Sequence, residues 1–146
     1  MMDVYRIEES AMEHAHAVAW IDHREAHIIH FNLTATEDAT VKPHTPHRHL
    51  HHKSGSVGSG HDKPDAAYLA GVGNALADAA EILVVGPANA KLELMHYLKA
   101  HQPAVAAKVI GVETVDHPSE GELLKFAHKF FTAADRMRGN SPGPVG

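Results

Sequence analysis

Residues 81–98 read EILVVGPANAKLELMHYL and indicate a strand, a tight turn and a helix. The run EILVV at 81–85 is short and rich in β-branched residues, which is typical of a buried parallel strand. Gly86 and Pro87 end that run. A helix is predicted over residues 88–101, and the apolar residues that share one of its faces are Leu94, Met95 and Leu98. A buried strand followed at once by a helix indicates an α/β domain.

Strand patterns lie on both sides of this unit. Residues 15–21 (AHAVAWI) and 26–32 (AHIIHFN) are separated by a short polar break and predict a β-hairpin. Residues 33–38 are polar, and 39–42 predict a short third strand. Residues 108–115 (KVIGVETV) predict the last strand of the sheet.

Two further helices are indicated by their start signals. Asp62 is the predicted N-cap of a helix that has Pro64 in its first turn, and its apolar spacing continues through Leu69, Val72, Leu76 and Ala80. Ser119 and Glu122 have the spacing of a capping box for the last helix. Its predicted inward face consists of Leu123, Leu124, Ala127, Phe130, Phe131 and Ala134.

The predicted order of elements is β-β-β-α-β-α-β-α. A meander followed by αβ units predicts a mixed five-stranded sheet, antiparallel at one end and parallel at the other, with helices on its faces. We therefore predict a ribonuclease H-like three-layer α/β domain over residues 14–137. Residues 1–13 form an N-terminal extension and 138–146 a disordered Gly/Pro tail. The alternative is a doubly wound α/β layer with a different strand order.

The composition agrees with one soluble domain. The chain has 146 residues, of which 44% are hydrophobic and 21% charged, enough to bury a core without cross-links. Cysteine is absent, which excludes disulfides, a thiolate nucleophile and a cysteine-based zinc site. The N-terminus lacks a signal peptide, and no apolar run approaches the ~20 residues of a membrane span. These features predict a cytoplasmic protein.

Histidine is the unusual component of the composition. The chain has 15 histidines and a formal net charge of -5. Six of the histidines fall within residues 44–61, inside a segment that has almost no apolar residues. We call residues 43–63 (PHTPHRHLHHKSGSVGSGHDK) the histidine-rich segment. It cannot pack a core, so it predicts a long surface loop, of a length common among functional or disordered loops.

The histidine-rich segment has the chemistry of an RNA contact. Arginine and lysine bind phosphates, glycines let backbone N–H groups approach an anion, and imidazoles gain charge below neutral pH and stack on bases. The predicted RNA-binding residues are Arg48, His49, His51, His52, Lys53, Gly58, Ser59, Gly60 and Lys63. The net charge of -5 does not oppose this prediction, because the local charge decides it.

A metal site is the second hypothesis for the same segment. His47, His49, His51 and His52 form an H-x-H-x-H-H cluster, and imidazole binds Zn²⁺ and Ni²⁺. The spacing matches no strong zinc signature. Two further alternatives are a disordered loop without a ligand and a stress-related module whose loop orders on a protein partner.

Enzyme hypotheses find little support. A ribonuclease H-type nuclease needs several converging carboxylates for two Mg²⁺ ions, and the candidates Asp22, Asp65 and Glu81 form an incomplete set. The turn at residues 86–91 is not a Walker loop, although Lys91 could face an anion there. The sequence therefore favours a non-enzymatic protein.

Three segments resemble a known family. They are HRHLHHKSGSVGSG (47–60), ILVVGPANAKLELMHYL (82–98) and VIGVETVDHPSEGELLKFA (109–127). They resemble small bacterial proteins named "translational machinery protein", which are similar in turn to the middle domain of the eukaryotic and archaeal peptide release factor and of Pelota. The resemblance implies a ribonuclease H-like fold, and the ribosome or tRNA as the partner.

The resemblance fails at one functional motif. In the release factor, the corresponding loop carries Gly-Gly-Gln, which promotes hydrolysis of peptidyl-tRNA. This chain has Gly58-Ser59-Gly60 there and no glutamine. The resemblance therefore implies an association with translation without peptide-release activity, and Pelota, which also lacks that glutamine, is the nearer analogue.

Overall fold

The computed structural model describes residues 16–32, 35–43 and 65–137. The predicted order of strands and helices is confirmed, with one addition, a four-residue helix that starts at Pro103. The elements are β1 (His16–Ile21), β2 (Ala26–Phe31), β3 (Thr36–Val41), α1 (Ala66–Leu76), β4 (Glu81–Gly86), α2 (Ala90–His101), α3 (Pro103–Ala106), β5 (Val109–Thr114) and α4 (Glu120–Met137).

The five strands form one mixed sheet in the order β3-β2-β1-β4-β5. β1, β2 and β3 pair antiparallel, while β1 pairs with β4, and β4 with β5, in parallel. This is the mixed five-stranded α/β sheet that the sequence predicts. The antiparallel meander at one end distinguishes it from a doubly wound layer.

The most completely buried strands of the sheet are β1 and β4. After their first residue, β1 and β4 are buried along their whole length, as expected for strands with neighbours on both sides. One face of the sheet packs against α1 and α2, and the cluster there includes Ile21, Ile28, Val84, Leu69, Val72, Leu94 and Leu98. The alternate residues of the strands, which point to the opposite face, are also buried: Val18, Trp20, Ile29, Phe31, Leu83 and Val85.

β3 is longer than the sequence indicates. It runs from Thr36 to Val41, whereas the pattern predicts a strand over 39–42 only. It pairs with β2 along its full length, from Thr36 opposite Phe31 to Val41 opposite Ala26. Its first five residues are exposed. An edge strand of this kind is held by backbone hydrogen bonds and needs no apolar face, so hydrophobic periodicity does not reveal its start.

α1 begins later and ends earlier than predicted. Its N-cap is Asp65, whose Oδ1 accepts a hydrogen bond from the Tyr68 backbone N–H at 3.1 Å. The prediction of Asp62 as N-cap is wrong; Asp62 and Pro64 lie outside the described residues. Both aspartates are residue types that suit an N-cap, so cap preference alone does not choose between them. The helix ends at Leu76, before Ala80.

The residues from Asp116 onwards form a separate compact unit, and α4 is its helix. The capping box is confirmed: Ser119 N–H donates to Glu122 Oε1 at 2.9 Å, and Glu122 N–H donates to Ser119 Oγ at 3.1 Å. Of the predicted inward face, Leu123, Ala127 and Phe131 are buried, while Leu124, Phe130 and Ala134 are half-buried. None of the helices in the described ranges is long and apolar enough to cross a membrane.

Candidate functional site at the base of the histidine-rich segment

The residues predicted to bind RNA or metal lie outside the described residues. All of them, from His47 to Lys63, fall between Pro43 and Asp65. The RNA and metal hypotheses therefore stay predictions. The structure does describe the places where the chain leaves the domain for this segment and where it returns.

The described residues on either side of the histidine-rich segment contact the turn between β1 and β2, which spans residues 22–25. On the departing side, Val41 pairs with Ala26, directly after the turn, and Lys42 Nζ lies 3.8 Å from Glu25 Oε1. On the returning side, the Tyr68 hydroxyl in the first turn of α1 donates a 2.8 Å hydrogen bond to the Asp22 carbonyl oxygen. The chain before the segment and the helix after it thus both contact the turn at the carboxyl end of β1.

The turn itself is ordered by Asp22. Its Oδ1 accepts hydrogen bonds from the backbone N–H groups of Arg24, at 2.7 Å, and Glu25, at 3.0 Å. This side-chain-to-backbone pattern is typical of aspartate in turns. The turn leaves His23 and Arg24 exposed. Sequence reasoning missed Arg24 as a functional candidate, because it treated residues 22–25 only as a polar break.

The three carboxylates considered for a nuclease serve other roles. Asp22 orders the turn and Asp65 caps α1. Glu81 lies opposite His16 at the start of β1, 3.3 Å from its Nε2. A six-residue strand spans about 20 Å, so Glu81 and Asp22 lie at opposite ends of β1. Within the described residues, no three His, Asp or Glu side chains are grouped to hold a metal ion.

The turn after β4 allows the ends of β4 and β1 to pack closely together. A Cβ on Gly86 would collide with the carbonyl oxygen of Ile21 on the neighbouring strand. Lys91, weighed as an anion ligand, is only 7% exposed, and its Nζ donates to the Ala88 carbonyl oxygen at 2.5 Å. This arrangement supports the simpler interpretation, in which Gly86 and Pro87 make a tight turn.

Tyr68 connects α1 to the β1–β2 turn and is a titratable group in a nearly closed environment. Burial raises the pKa of its hydroxyl, and the negative charges of Asp22, Glu25 and Asp65 raise this pKa further. The hydroxyl therefore stays protonated in the folded protein well above pH 10, the usual pKa of tyrosine. It keeps donating to Asp22 under alkaline conditions.

Replacing Tyr68 by phenylalanine is expected to lower the free energy of unfolding at pH 8 by about 1 kcal/mol, because one intramolecular hydrogen bond is lost. The folded-state pKa lies above that of the unfolded chain, so the unfolded state loses its proton first as the pH rises. The stabilisation by the hydroxyl is complete below about pH 10 and declines above it. Urea unfolding should show a smaller difference in the free energy of unfolding between wild type and Y68F at pH 10.5 than at pH 8. An equal difference at both pH values would contradict the raised pKa of Tyr68.

A groove lies between α1 and α2, beside the part of the domain that flanks the histidine-rich segment. Its volume is about 520 Å³, and we call it the α1–α2 groove. α1 contributes Ala66 and Leu69 from its first turns, and α2 contributes one stripe that runs from Asn89 to His101. Glu93 in this stripe lies 3.0 Å from His23 Nε2, which connects the groove to the β1–β2 turn.

Two rings stand out in the α1–α2 groove. The Tyr97 and His101 rings have centroids 4.7 Å apart and planes at 31°. Sequence reasoning did not identify Tyr97 or His101 as candidate site residues. The available signal was the i, i+4 spacing of Tyr97 and His101, which places two rings on one helix face.

Comparison with known proteins identifies the fold. No protein-family model and no curated protein sequence matches this chain. Among solved structures, Dom34 of S. cerevisiae, described as a translation termination-like factor involved in RNA quality control pathways and interacting with Hbs1, aligns with a TM-score of 0.57 and 10% identity over 95% of this chain. The Pelota protein of Thermoplasma acidophilum aligns with a TM-score of 0.54 and 20% identity over 87% of this chain. The chain has a Pelota-like fold.

The resemblance to Pelota predicted from the sequence is thus confirmed for the fold. The match covers 39% of the Dom34 chain and 37% of the Pelota chain, so this chain spans less than two-fifths of either protein. At identities of 10% and 20%, the Pelota-like fold is what these comparisons establish.

Proposed function

We propose that the protein is a non-enzymatic, cytoplasmic factor of translation that contacts ribosomal RNA or tRNA through the histidine-rich segment. The observation that carries this proposal is the Pelota-like fold, since Dom34, which shares it, is described as a translation termination-like factor. The segment adds the chemistry for RNA. It contains three permanent cations, Arg48, Lys53 and Lys63, and one acid, Asp62.

The described residues that flank the segment include the cations Arg24 and Lys42 beside the acids Asp22, Glu25 and Asp65. Arg24 is exposed in the turn that Tyr68, near the start of α1, contacts. Histidine as a residue type gains positive charge as the pH falls below neutrality, and the segment has six histidines. The three permanent cations of the segment outnumber its one acid, so its formal charge is positive although the whole chain carries -5. Phosphate contacts of this kind dominate the affinity of RNA-binding proteins.

Peptide release is not part of the proposal. The chain has a single glutamine, Gln102. Its Nε2 donates to the Ala70 carbonyl oxygen at 3.4 Å, between α2 and α1, and it is half-buried. The histidine-rich segment therefore has no side chain corresponding to the glutamine of the release factor. We expect the purified protein not to accelerate hydrolysis of peptidyl-tRNA on ribosomes.

Removing the three cations of the segment tests the RNA contact. In the variant R48A/K53A/K63A, we expect ribosome association to weaken at least about tenfold at moderate salt. The slope of log affinity against log salt should fall by about 2, because each lost phosphate contact contributes about 0.7. Cosedimentation of untagged protein with ribosomes through sucrose at several salt concentrations measures both quantities.

A matched variant controls for net charge. K125A/K129A/R136A also removes three exposed cations, all on α4, and we expect it to keep the wild-type affinity and slope. If both triple variants weaken the association equally, the contact is not made by the segment. A wild-type protein that stays in the soluble fraction at every salt concentration overturns the proposal. Stoichiometric Zn²⁺ or Ni²⁺ in native mass spectra, lost in H49A/H51A, would favour the metal hypothesis instead.

A further inference from the structure

We propose that the α1–α2 groove holds an unpaired base of the RNA that the protein contacts, at a site separate from the histidine-rich segment. The choice of RNA as the source of the base rests on the proposed function. The groove has the size of a ligand site: its 520 Å³ lies within the usual range of about 300–1,000 Å³. Its walls are mainly apolar, formed in part by Leu69, Ala66 and Leu92.

The aromatic pair supplies a stacking surface. Tyr97 is half-buried against the core, which fixes its ring, whereas His101 is exposed. Their centroids are 4.7 Å apart and their planes are inclined by 31°, so the two rings pack against each other at one end of the groove. Proteins that bind single-stranded RNA stack unpaired bases on aromatic side chains of this kind. Leu92, which is 55% exposed, gives the base an apolar wall that is otherwise in contact with water.

The other end of the groove can read the edge of a base. Asn89 is the N-cap residue of α2, yet its side chain makes no capping hydrogen bond. Its amide offers both a donor and an acceptor. Glu93 is oriented through Oε1 by His23, at 3.0 Å, which leaves Oε2 to accept from an exocyclic amine. An amide beside a carboxylate favours a base with an exocyclic amino group, such as adenine, over uracil.

The groove is close in sequence to the histidine-rich segment. Ala66, on its wall, is three residues after Lys63, the last residue of the histidine-rich segment. The exposed Arg24 directly follows His23, whose Nε2 lies 3.0 Å from Glu93 at the polar end of the groove.

Nuclear magnetic resonance titration of the full ¹⁵N-labelled chain with 5′-AMP and with 5′-UMP tests the site. We expect AMP to shift the backbone amides of residues 89–101 in a saturable manner, and UMP to bind more weakly. Y97L keeps apolar bulk but removes the ring, and we expect AMP affinity to fall about tenfold. Y97F keeps the ring and should bind within about twofold of wild type. H101A, at an exposed position, should weaken AMP binding without disturbing the fold.

The possible results test the base site and the proposed function independently of each other. R48A/K53A/K63A should bind AMP as wild type does, because the groove does not use those cations. If AMP shifts no groove residue, or if Y97L binds AMP as tightly as Y97F, the base site is wrong, whatever ribosomes show. Groove shifts that grow with protein concentration in the absence of nucleotide would identify a second copy of the chain as the occupant, and would overturn the proposal. If the protein binds AMP in the groove but does not associate with ribosomes, the proposed function is overturned and the base site is supported.

Discussion

Gly86→Ala is expected to lower the free energy of unfolding by about 3 kcal/mol. Gly86 is the last residue of β4 and is buried. A Cβ there would lie against the carbonyl oxygen of Ile21, a backbone atom of the neighbouring strand β1. No side-chain rotation can remove this collision, so the ends of the two central strands would have to separate. This separation would weaken contacts such as the hydrogen bond from Val115 N–H to the Gly86 carbonyl oxygen, at 3.1 Å.

Gly121→Ala provides the matched control for this substitution. A Cβ on Gly121 would meet nothing within 4 Å, and the residue is exposed near the start of α4. Alanine has the higher helix propensity, so G121A should be neutral or stabilising by up to about 1 kcal/mol. Urea unfolding followed by the fluorescence of Trp20, the single tryptophan, measures the central sheet directly. A G86A protein as stable as wild type would show that β1 and β4 do not approach as closely as described.

Leu94→Ala should cost a similar amount, about 3 kcal/mol, through a different mechanism. Leu94 is fully buried on α2 and belongs to the cluster between the helices and the sheet. Truncation removes three buried carbon atoms and leaves a cavity that the packed β1 and β4 strands cannot fill. The loss should appear as a lower midpoint of urea unfolding with an unchanged dependence on urea concentration.

Leu92→Ala is the control on the same helix, two residues away. Leu92 is 55% exposed, so its truncation should change the free energy of unfolding by less than about 0.5 kcal/mol. The two variants lose the same atoms from the same element and differ only in burial. Equal losses in L92A and L94A would contradict the assignment of the core face of α2. L92A also provides a folded variant with which to probe the apolar wall of the α1–α2 groove.

Much of the fold could be predicted because the relevant signals are local. β1, β2 and β4 are apolar enough for their burial to be visible in the sequence, and β5, which is half-buried or exposed, was found from its run of strand-forming residues. The capping box at Ser119 and Glu122 identified the start of α4. The polar edge strand β3 could not be bounded in this way, since its backbone bonds to β2 place no demand on its side chains. α3 is a four-residue helix, too short to have a periodic pattern.

The candidate site likewise has one part that the sequence reveals and one part that only the structure reveals. The cations and histidines of residues 43–63 are a property of composition, and they could be recognised without knowing the fold. The α1–α2 groove could not, because Leu69 and Tyr97 become neighbours only when two helices pack on one face of the sheet.

The sequence by itself determined the order of the elements, the central buried strands and the concentration of positive charge in one segment. Periodicity and composition describe how each stretch of chain meets water, and these properties depend only on the stretch itself. Tertiary structure decided that Gly86 must fit against Ile21. It decided that Tyr68 bonds to Asp22 across 46 residues, and that Glu93 bonds to His23 across 70. Such neighbours are set by the pairing of strands and the packing of helices, which no single stretch of sequence specifies.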